Sequence, residues 1–366
     1  MINKKKNSKS ISNTRLAFLD ILRIFAFISV LIGHKLYGHL NAFSVDHYNH
    51  ITLRLLADVV KPFSFGGGAG VVVFFLISGY IIANVLMDED TPNFILKRIL
   101  RIYPVYVVAV FSEIAITHFT VGSQGINWPQ TLARLSLLGD WFGTPYGLAG
   151  VEWTLRIEIH FYAVMAILKW TGIWRRFEAL PFIFLGFTVL LQILGPFTLQ
   201  AGFARGYVTL YMPFLFFGAI FLLLEKKLCN PVTGILCLVY IYLSYLTLLP
   251  RINPGFAQSH FASLALIIFL VAWFFRRKLQ PNYWTILLAD LTYSVYLFHN
   301  WLWDHIIRYT SMLVSSTLLN TSLTIMCLLF FCYLVNLTIE KPSIRFGALL
   351  NKKLRALQTA KLPQPS

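Results

Sequence analysis

Ten apolar runs, each near the ~20 residues a helix needs to cross a bilayer, leave this chain little choice of fold. They fall at about 16–36, 67–87, 102–120, 151–168, 179–198, 206–224, 232–249, 260–275, 285–307 and 313–338. In lipid a chain must satisfy its backbone hydrogen bonds internally, and a run of this length does so as a helix. The sequence therefore predicts an all-α, polytopic integral membrane protein with about ten transmembrane helices. Charge agrees with this: 13% of the 366 residues are charged, against about 25% in a soluble domain. An ordinary soluble enzyme, a disordered chain and a coiled coil are excluded. Segment 51–62 is too short and polar to span, and is predicted to lie along the interface as an amphipathic helix.

The net charge of +16 would suggest a nucleic-acid partner in a soluble protein. Here the basic residues cluster in short loops between the apolar runs, so no nucleic acid is expected. Ten spans put both termini on one side. Of the 31 Lys and Arg residues, 22 then fall on that side, 8 on the other, and Arg23 inside the first span. Positive residues favour the cytoplasm, which predicts cytoplasmic termini, a basic N-terminal tail at 1–15, a membrane domain at 16–340 and a basic C-terminal tail at 341–366. The basic start followed by an apolar stretch resembles a signal peptide. That stretch holds Asp20 and Arg23 and no cleavage site follows, so it reads as an uncleaved first span. The loop at about 121–150, with Trp128 and Trp141, is expected to dip into the membrane or cap a cavity. Cys229, Cys237, Cys327 and Cys332 show no metal-type spacing and read as free, and no metal site is expected.

Ionisable residues inside a span mark functional sites by default. The first span has Asp20, Arg23 and His34. At about 100° per residue, His34 returns to within about 20° of Arg23, and Asp20 lies about 60° away, so all three share one face. Glu152 and Arg156 stand at i, i+4 and are predicted to pair. Glu158 and His160 lie about 200° apart, so only one faces a given cavity, and spacing alone does not choose between them. Arg98 and Arg101 share a helix face, as a phosphate clamp or as snorkelling topology signals. Gly66-Gly67-Gly68-Ala69-Gly70 lacks the ending of a P-loop and reads as close helix packing or a turn. In the ninth run Asp290 and Asp304 face alike, with His299 opposite Asp290, in a structural or a functional role.

Six motifs in order resemble the acyltransferase 3 family of integral-membrane acyltransferases. They are Leu19-Asp20-Ile21-Leu22-Arg23 with His34 eleven residues on, the run Gly70 to Tyr80 containing Phe74-Phe75 and Ser78-Gly79, and Arg98-Ile99-Leu100-Arg101-Ile102-Tyr103-Pro104. Then come Trp153-Thr154-Leu155-Arg156-Ile157-Glu158 with Phe161-Tyr162, the run Tyr293-Ser294-Val295-Tyr296-Leu297-Phe298-His299, and Glu340-Lys341-Pro342. Tyr80, Thr154, Ile21 and His160 depart from the commonest residues without touching the chemistry.

The resemblance implies transfer of an acyl group, usually acetyl, from cytoplasmic acyl-CoA to a hydroxyl on an extracytoplasmic acceptor. The acceptor would be a cell-surface polysaccharide or lipid-linked glycan such as O-antigen or exopolysaccharide, or a small molecule such as a macrolide. It implies a bacterial plasma membrane, the inner one in a Gram-negative cell, with the lipid bilayer as partner. The SGNH-type C-terminal domain of some members is not expected, since the chain ends soon after its last run. The resemblance selects Glu158 over His160 and makes Arg98 and Arg101, helped by Arg23, the CoA-phosphate clamp. His34 becomes general base or acyl carrier, oriented by Glu158, with Asp20, Ser78, Trp153, Tyr293, Ser294 and His299 in support. Helix rise places His34 and Glu158 towards the outer face and the clamp at the inner face. The rival class is a transporter or flippase that uses the same polar path; a membrane scaffold fits least.

Overall fold

The computed structural model describes residues 16–122, 126–198 and 204–360. The helices, in chain order, are α1 (Ala17–Leu31), α2 (Tyr37–Val45), α3 (Ile51–Ser64), α4 (Gly68–Asp88), α5 (Thr91–Val121), α6 (Trp128–Leu135), α7 (Glu152–Trp170), α8 (Leu180–Ile193), α9 (Tyr207–Glu225), α10 (Pro231–Ile252), α11 (Phe261–Phe274), α12 (Tyr283–Phe298), α13 (Trp301–Leu313), α14 (Thr317–Val335) and α15 (Lys341–Ala360). No strand occurs among the described residues.

Among the described residues, six helical stretches are long and apolar enough to cross a membrane: Ala17–Val45, Ile51–Asp88, Thr91–Thr120, Tyr207–Glu225, Pro231–Ile252 and Thr317–Lys352. The protein is a multi-pass membrane protein. A count of ten is reached only by adding α8 and α11, which are apolar but shorter, α7, whose hydropathy is diluted by Glu152, Arg156, Glu158 and Lys169, and one broken segment. That segment is 285–307, predicted as one rod and observed as α12 and α13. The break at His299–Asn300 is held by side chains. Trp301 Nε1 donates to the Leu297 carbonyl at 3.0 Å, and Asn300 Nδ2 donates to the Ala149 carbonyl at 2.7 Å. Asp290 and Asp304 therefore sit on different helices, and a single helical wheel does not relate them.

The described chain divides into two compact units: residues up to Ile81 with Pro181–Tyr296, and Ile82–Leu180 with Leu297 onward. In the first, α9 is buried along nearly its whole length. Small residues bring α4 and α9 into backbone contact, because a Cβ on Gly79 would lie 1.9 Å from the Leu215 carbonyl oxygen and one on Gly218 2.1 Å from that of Leu76. α3 is a separate helix that exposes Leu53, Leu55, Leu56 and Val59, the amphipathic segment predicted at 51–62. Its N-terminus is capped by His50, whose Nδ1 accepts from the Thr52 N–H at 3.3 Å. It ends where Gly66 takes a φ of 54°, a conformation open to glycine.

In the second unit α5 is the axis. Asp90 caps it by accepting from the Asn93 N–H at 3.0 Å, and α7, α15 and a π-helical turn at Asn336–Glu340 pack along it. The segment from 341 onward, predicted only as a basic tail, contains helix α15, with Gly347 set against Leu100 of α5. Residues 1–15 and 361–366 lie outside the described residues. Within the predicted loop at 121–150, the described residues from 126 onward form α6 and two 3-10 turns, Gly139–Trp141 and Leu148–Gly150.

Candidate active site

The predicted site residues fall into two groups, one in each unit. In the first unit, Asp20 is almost fully buried and pairs with Arg23, Nη1 to Oδ1, at 2.9 Å. A buried charge needs such a partner, so the pair anchors the start of α1.

His34 does not continue the α-helix. It sits in a π-helical turn, Ile32–Leu36. Such turns widen the helix and concentrate at functional sites. The ideal 100° step therefore does not hold up to His34, and the wheel that aligned it with Arg23 is corrected by a rotation within this turn. Close packing fixes the turn in place: a Cβ on Gly33 would lie 2.2 Å from both the Gly67 nitrogen and the Ser64 carbonyl oxygen. The His34 side chain is accessible, and its imidazole is hydrogen-bonded to the backbone of Gly66. The glycine run is thus the platform for the histidine turn. Ser29 joins the two segments, donating to the Phe63 carbonyl at 2.6 Å and accepting from the Gly70 N–H at 3.2 Å. Ser78 and Ser294 are buried, Tyr293 half-buried.

In the second unit Glu158 is buried and accepts from the Tyr162 hydroxyl at 2.9 Å. His160 is half-buried and directed elsewhere. Its Nε2 accepts from Trp141 Nε1 at 2.7 Å, which leaves Nδ1 to donate to the Arg156 carbonyl at 2.6 Å. Glu158 and His160 thus have separate surroundings, as their spacing requires. Arg98 stacks over Phe94 at 5.8 Å, and Phe94 meets Tyr162 edge-on at 6.1 Å. Arg98 lies within electrostatic range of Tyr162, Arg101, Glu89 and Glu158. Its Nε is buried and has no partner among the described residues.

Helix rise predicts the clamp and Glu158 towards opposite faces; within this unit Arg98, seven residues into α5 and about 10 Å along its axis, lies beside the part of α7 that carries Glu158 and Tyr162. Trp153 is half-buried, and His299 is buried at the end of α12.

A chain of charges missed by the sequence reading holds the start of α7. The predicted Glu152–Arg156 pair is present at 3.4 Å, with both side chains fully buried. Arg156 also donates to Asp140 at 3.0 Å and to the Thr144 and Pro145 carbonyls, and lies over the Tyr146 ring at 4.4 Å. Arg134 bridges Glu113 and Glu152. Tyr106 donates to Glu152 at 3.1 Å, and the Gly147 N–H does so at 2.9 Å. Burial opposes the Arg134 charge, but Glu152 and Glu113 outweigh it and hold its pKa above the ordinary value. A second network in the first unit joins Tyr80 to Glu225 at 2.8 Å and Glu225 to Arg276 at 3.1 Å. Among the described residues no group of His, Cys, Asp and Glu is placed to hold a metal ion.

The model of an acyltransferase domain, that of the acyltransferase 3 family, matches residues 16–340. The chain belongs to this acyltransferase 3 family. Every residue of both groups lies within the matched span. Two curated relatives of this acyltransferase are each 28% identical to it. One is "Nodulation protein 10" of Rhizobium leguminosarum bv. viciae, aligned over 43% of this chain and 45% of the relative. The other is "Putative peptidoglycan O-acetyltransferase YrhL" of Bacillus subtilis (strain 168), over 43% of this chain and 24% of the relative. The alignments thus span less than half the length of either relative. No solved structure matches this acyltransferase 3 chain.

Proposed function

We propose that the protein is a membrane O-acyltransferase that moves an acetyl group from cytoplasmic acyl-CoA to a hydroxyl of an extracytoplasmic glycan. Family membership and the name of the Bacillus relative support the class. The observation that carries the donor assignment is Arg98, a guanidinium with a buried, unpartnered Nε beside a second arginine. A buried donor left unpaired costs about 1–3 kcal/mol, and an anion from outside the chain removes that cost. The CoA phosphates supply one, with Arg101 and Arg23 assigned to the same task.

His34 is assigned the proton. The neutral imidazole has one N–H, and engaging one ring edge with the Gly66 backbone sets which nitrogen is basic. The acceptor hydroxyl gives its proton to that nitrogen while its oxygen bonds the thioester carbonyl carbon. The C–S bond then breaks, and the proton passes to the departing CoA sulfur. Glu158, held by Tyr162, balances the charge near Arg98. The bacterial inner membrane is the location this reading implies.

The test is acetyl-CoA consumption by the purified protein in lipid nanodiscs. Free CoA and acetylated glycan should appear, and His34→Ala should lower the rate by at least ~10²-fold while the protein remains monodisperse. Uptake of intact thioester into vesicles, with no free CoA, would indicate a transporter instead.

A further inference from the structure

Beside the His34 turn lies a cavity of about 560 Å³, formed within the first unit. We infer that this cavity is the acceptor subsite and that it takes a neutral pyranose ring; the inference rests on the O-acyltransferase reading above.

Its position comes first. Tyr37 and Phe65 both line the cavity. Tyr37 follows His34 by three residues at the exit of the π-helical turn. Phe65 immediately precedes Gly66, whose backbone holds the imidazole. The cavity is therefore continuous with the two segments that fix the proposed base. Its lining comes from segments 37–65 and 254–261, and the distribution of Lys and Arg assigns both to the face opposite the basic loops. An extracytoplasmic acceptor would enter from that face.

Its chemistry comes second. Tyr37 and Phe65 pack edge-on at 5.4 Å, and Phe65 and Phe261 lie tilted at 6.0 Å, which gives a continuous aromatic wall. The polar side holds Asp58 and Lys61, paired at 2.7 Å, and Ser259, whose buried Oγ has no partner among the described residues. A pyranose has an apolar face of C–H bonds and a rim of hydroxyls, and this wall and rim match the two. The paired Asp58 and Lys61 cancel in charge, and Lys61 directs its three donors to Asp58, Ser44 and Asn41, so the pair offers carboxylate oxygen to sugar hydroxyls and the cavity favours a neutral sugar over a phosphate or a uronate. The volume lies within the 300–1,000 Å³ common for small-molecule sites, enough for one or two rings.

The experiment uses full-length protein in nanodiscs, with chitotetraose and the methyl glycosides of glucose, galactose, mannose and rhamnose as probes. Saturation-transfer difference NMR reads sugar binding, and release of free CoA from acetyl-CoA reads transfer. Tyr37→Ala and Phe65→Ala should weaken binding of the recognised probe about 10-fold, whereas Phe65→Trp keeps the aromatic face and should retain it. Gln258→Ala, at an exposed lining position, is the second variant should an aromatic change prevent folding, and should weaken binding in the same direction. Binding of no probe by the wild type, or equal binding by wild type and alanine variants, overturns the subsite. Displacement of the sugar signal by added phospholipid headgroup would reassign the cavity to lipid and also overturn it. Sugar binding that needs the aromatic wall, with acetyl-CoA left intact, instead defeats the acyltransferase reading.

Discussion

Arg98 and Arg156 show how differently two buried arginines can be used. Arg156 has its charge met by Asp140 and Glu152 and both terminal nitrogens held by two carbonyls, with its Nε alone left without a partner among the described residues, so it is a structural element. It holds the first turn of α7, and with it the helix that carries Glu158. Removing one partner of such a network would leave an uncompensated buried charge, a cost of about 3–5 kcal/mol. Arg98 has an aromatic neighbour, but its guanidinium makes no hydrogen bond or ion pair among the described residues, the condition expected of a group that awaits a ligand. Arg98→Ala should raise the KM for acyl-CoA roughly 10- to 100-fold, the loss of one charge-assisted contact of about 1.5–3 kcal/mol. Arg98→Lys should restore only part, since an ammonium lacks the planar fork. Steady-state kinetics with acetyl-CoA varied at fixed acceptor check this, and an unchanged KM in both variants would return Arg98 to a topology signal.

At the scale of elements, the site depends on turns more than on helices. The π-helical turn at Ile32–Leu36 sits where Gly33 meets the backbone at Ser64 and Gly67. Gly33→Ala would drive a methyl group into backbone on both sides, so the turn must shift and carry His34 with it. We expect at least a ~10²-fold loss of transfer, comparable to losing the base itself, in protein that still inserts. Transfer assays beside size-exclusion profiles check this, and full activity with a native profile would show that the turn does not position His34. Much of this was legible beforehand. Helix positions followed from apolar runs, because length and hydropathy are local properties, and the Glu152–Arg156 pair followed from i, i+4 spacing. The π-helical turn was not legible, since it is set by a contact with a segment thirty residues away. Nor were Arg134 and Asp140 as partners of α7, because loop residues meet it only through tertiary folding. The break at His299–Asn300 escaped for a related reason: Trp301 and Asn300 satisfy the opened backbone from outside the helical pattern.

At the scale of the molecule, the mechanism requires donor and acceptor to approach from opposite faces, so the assignment of loops to faces is its most exposed claim. The first unit alone offers a test, because it holds loops of both kinds. Segments 37–65 and 254–261 line one cavity and so must open to the same side. Lys226 and Arg277 belong to basic loops of the opposite set, and Glu225 bridges to Arg276 there, which ties those two loops to each other. Cysteine labelling can follow, but Cys327 is exposed and must first be replaced by serine. Single cysteines at Asn41 and Gln258, both exposed, should react with a membrane-impermeant maleimide on intact cells. Cysteines at Lys226 and Arg277, also exposed, should react only after the membrane is permeabilised. The reverse pattern would place the His34 turn and its cavity on the cytoplasmic side. The acceptor would then have to be a cytoplasmic molecule, and the two-sided transfer would fail even if every assigned residue kept its chemical role.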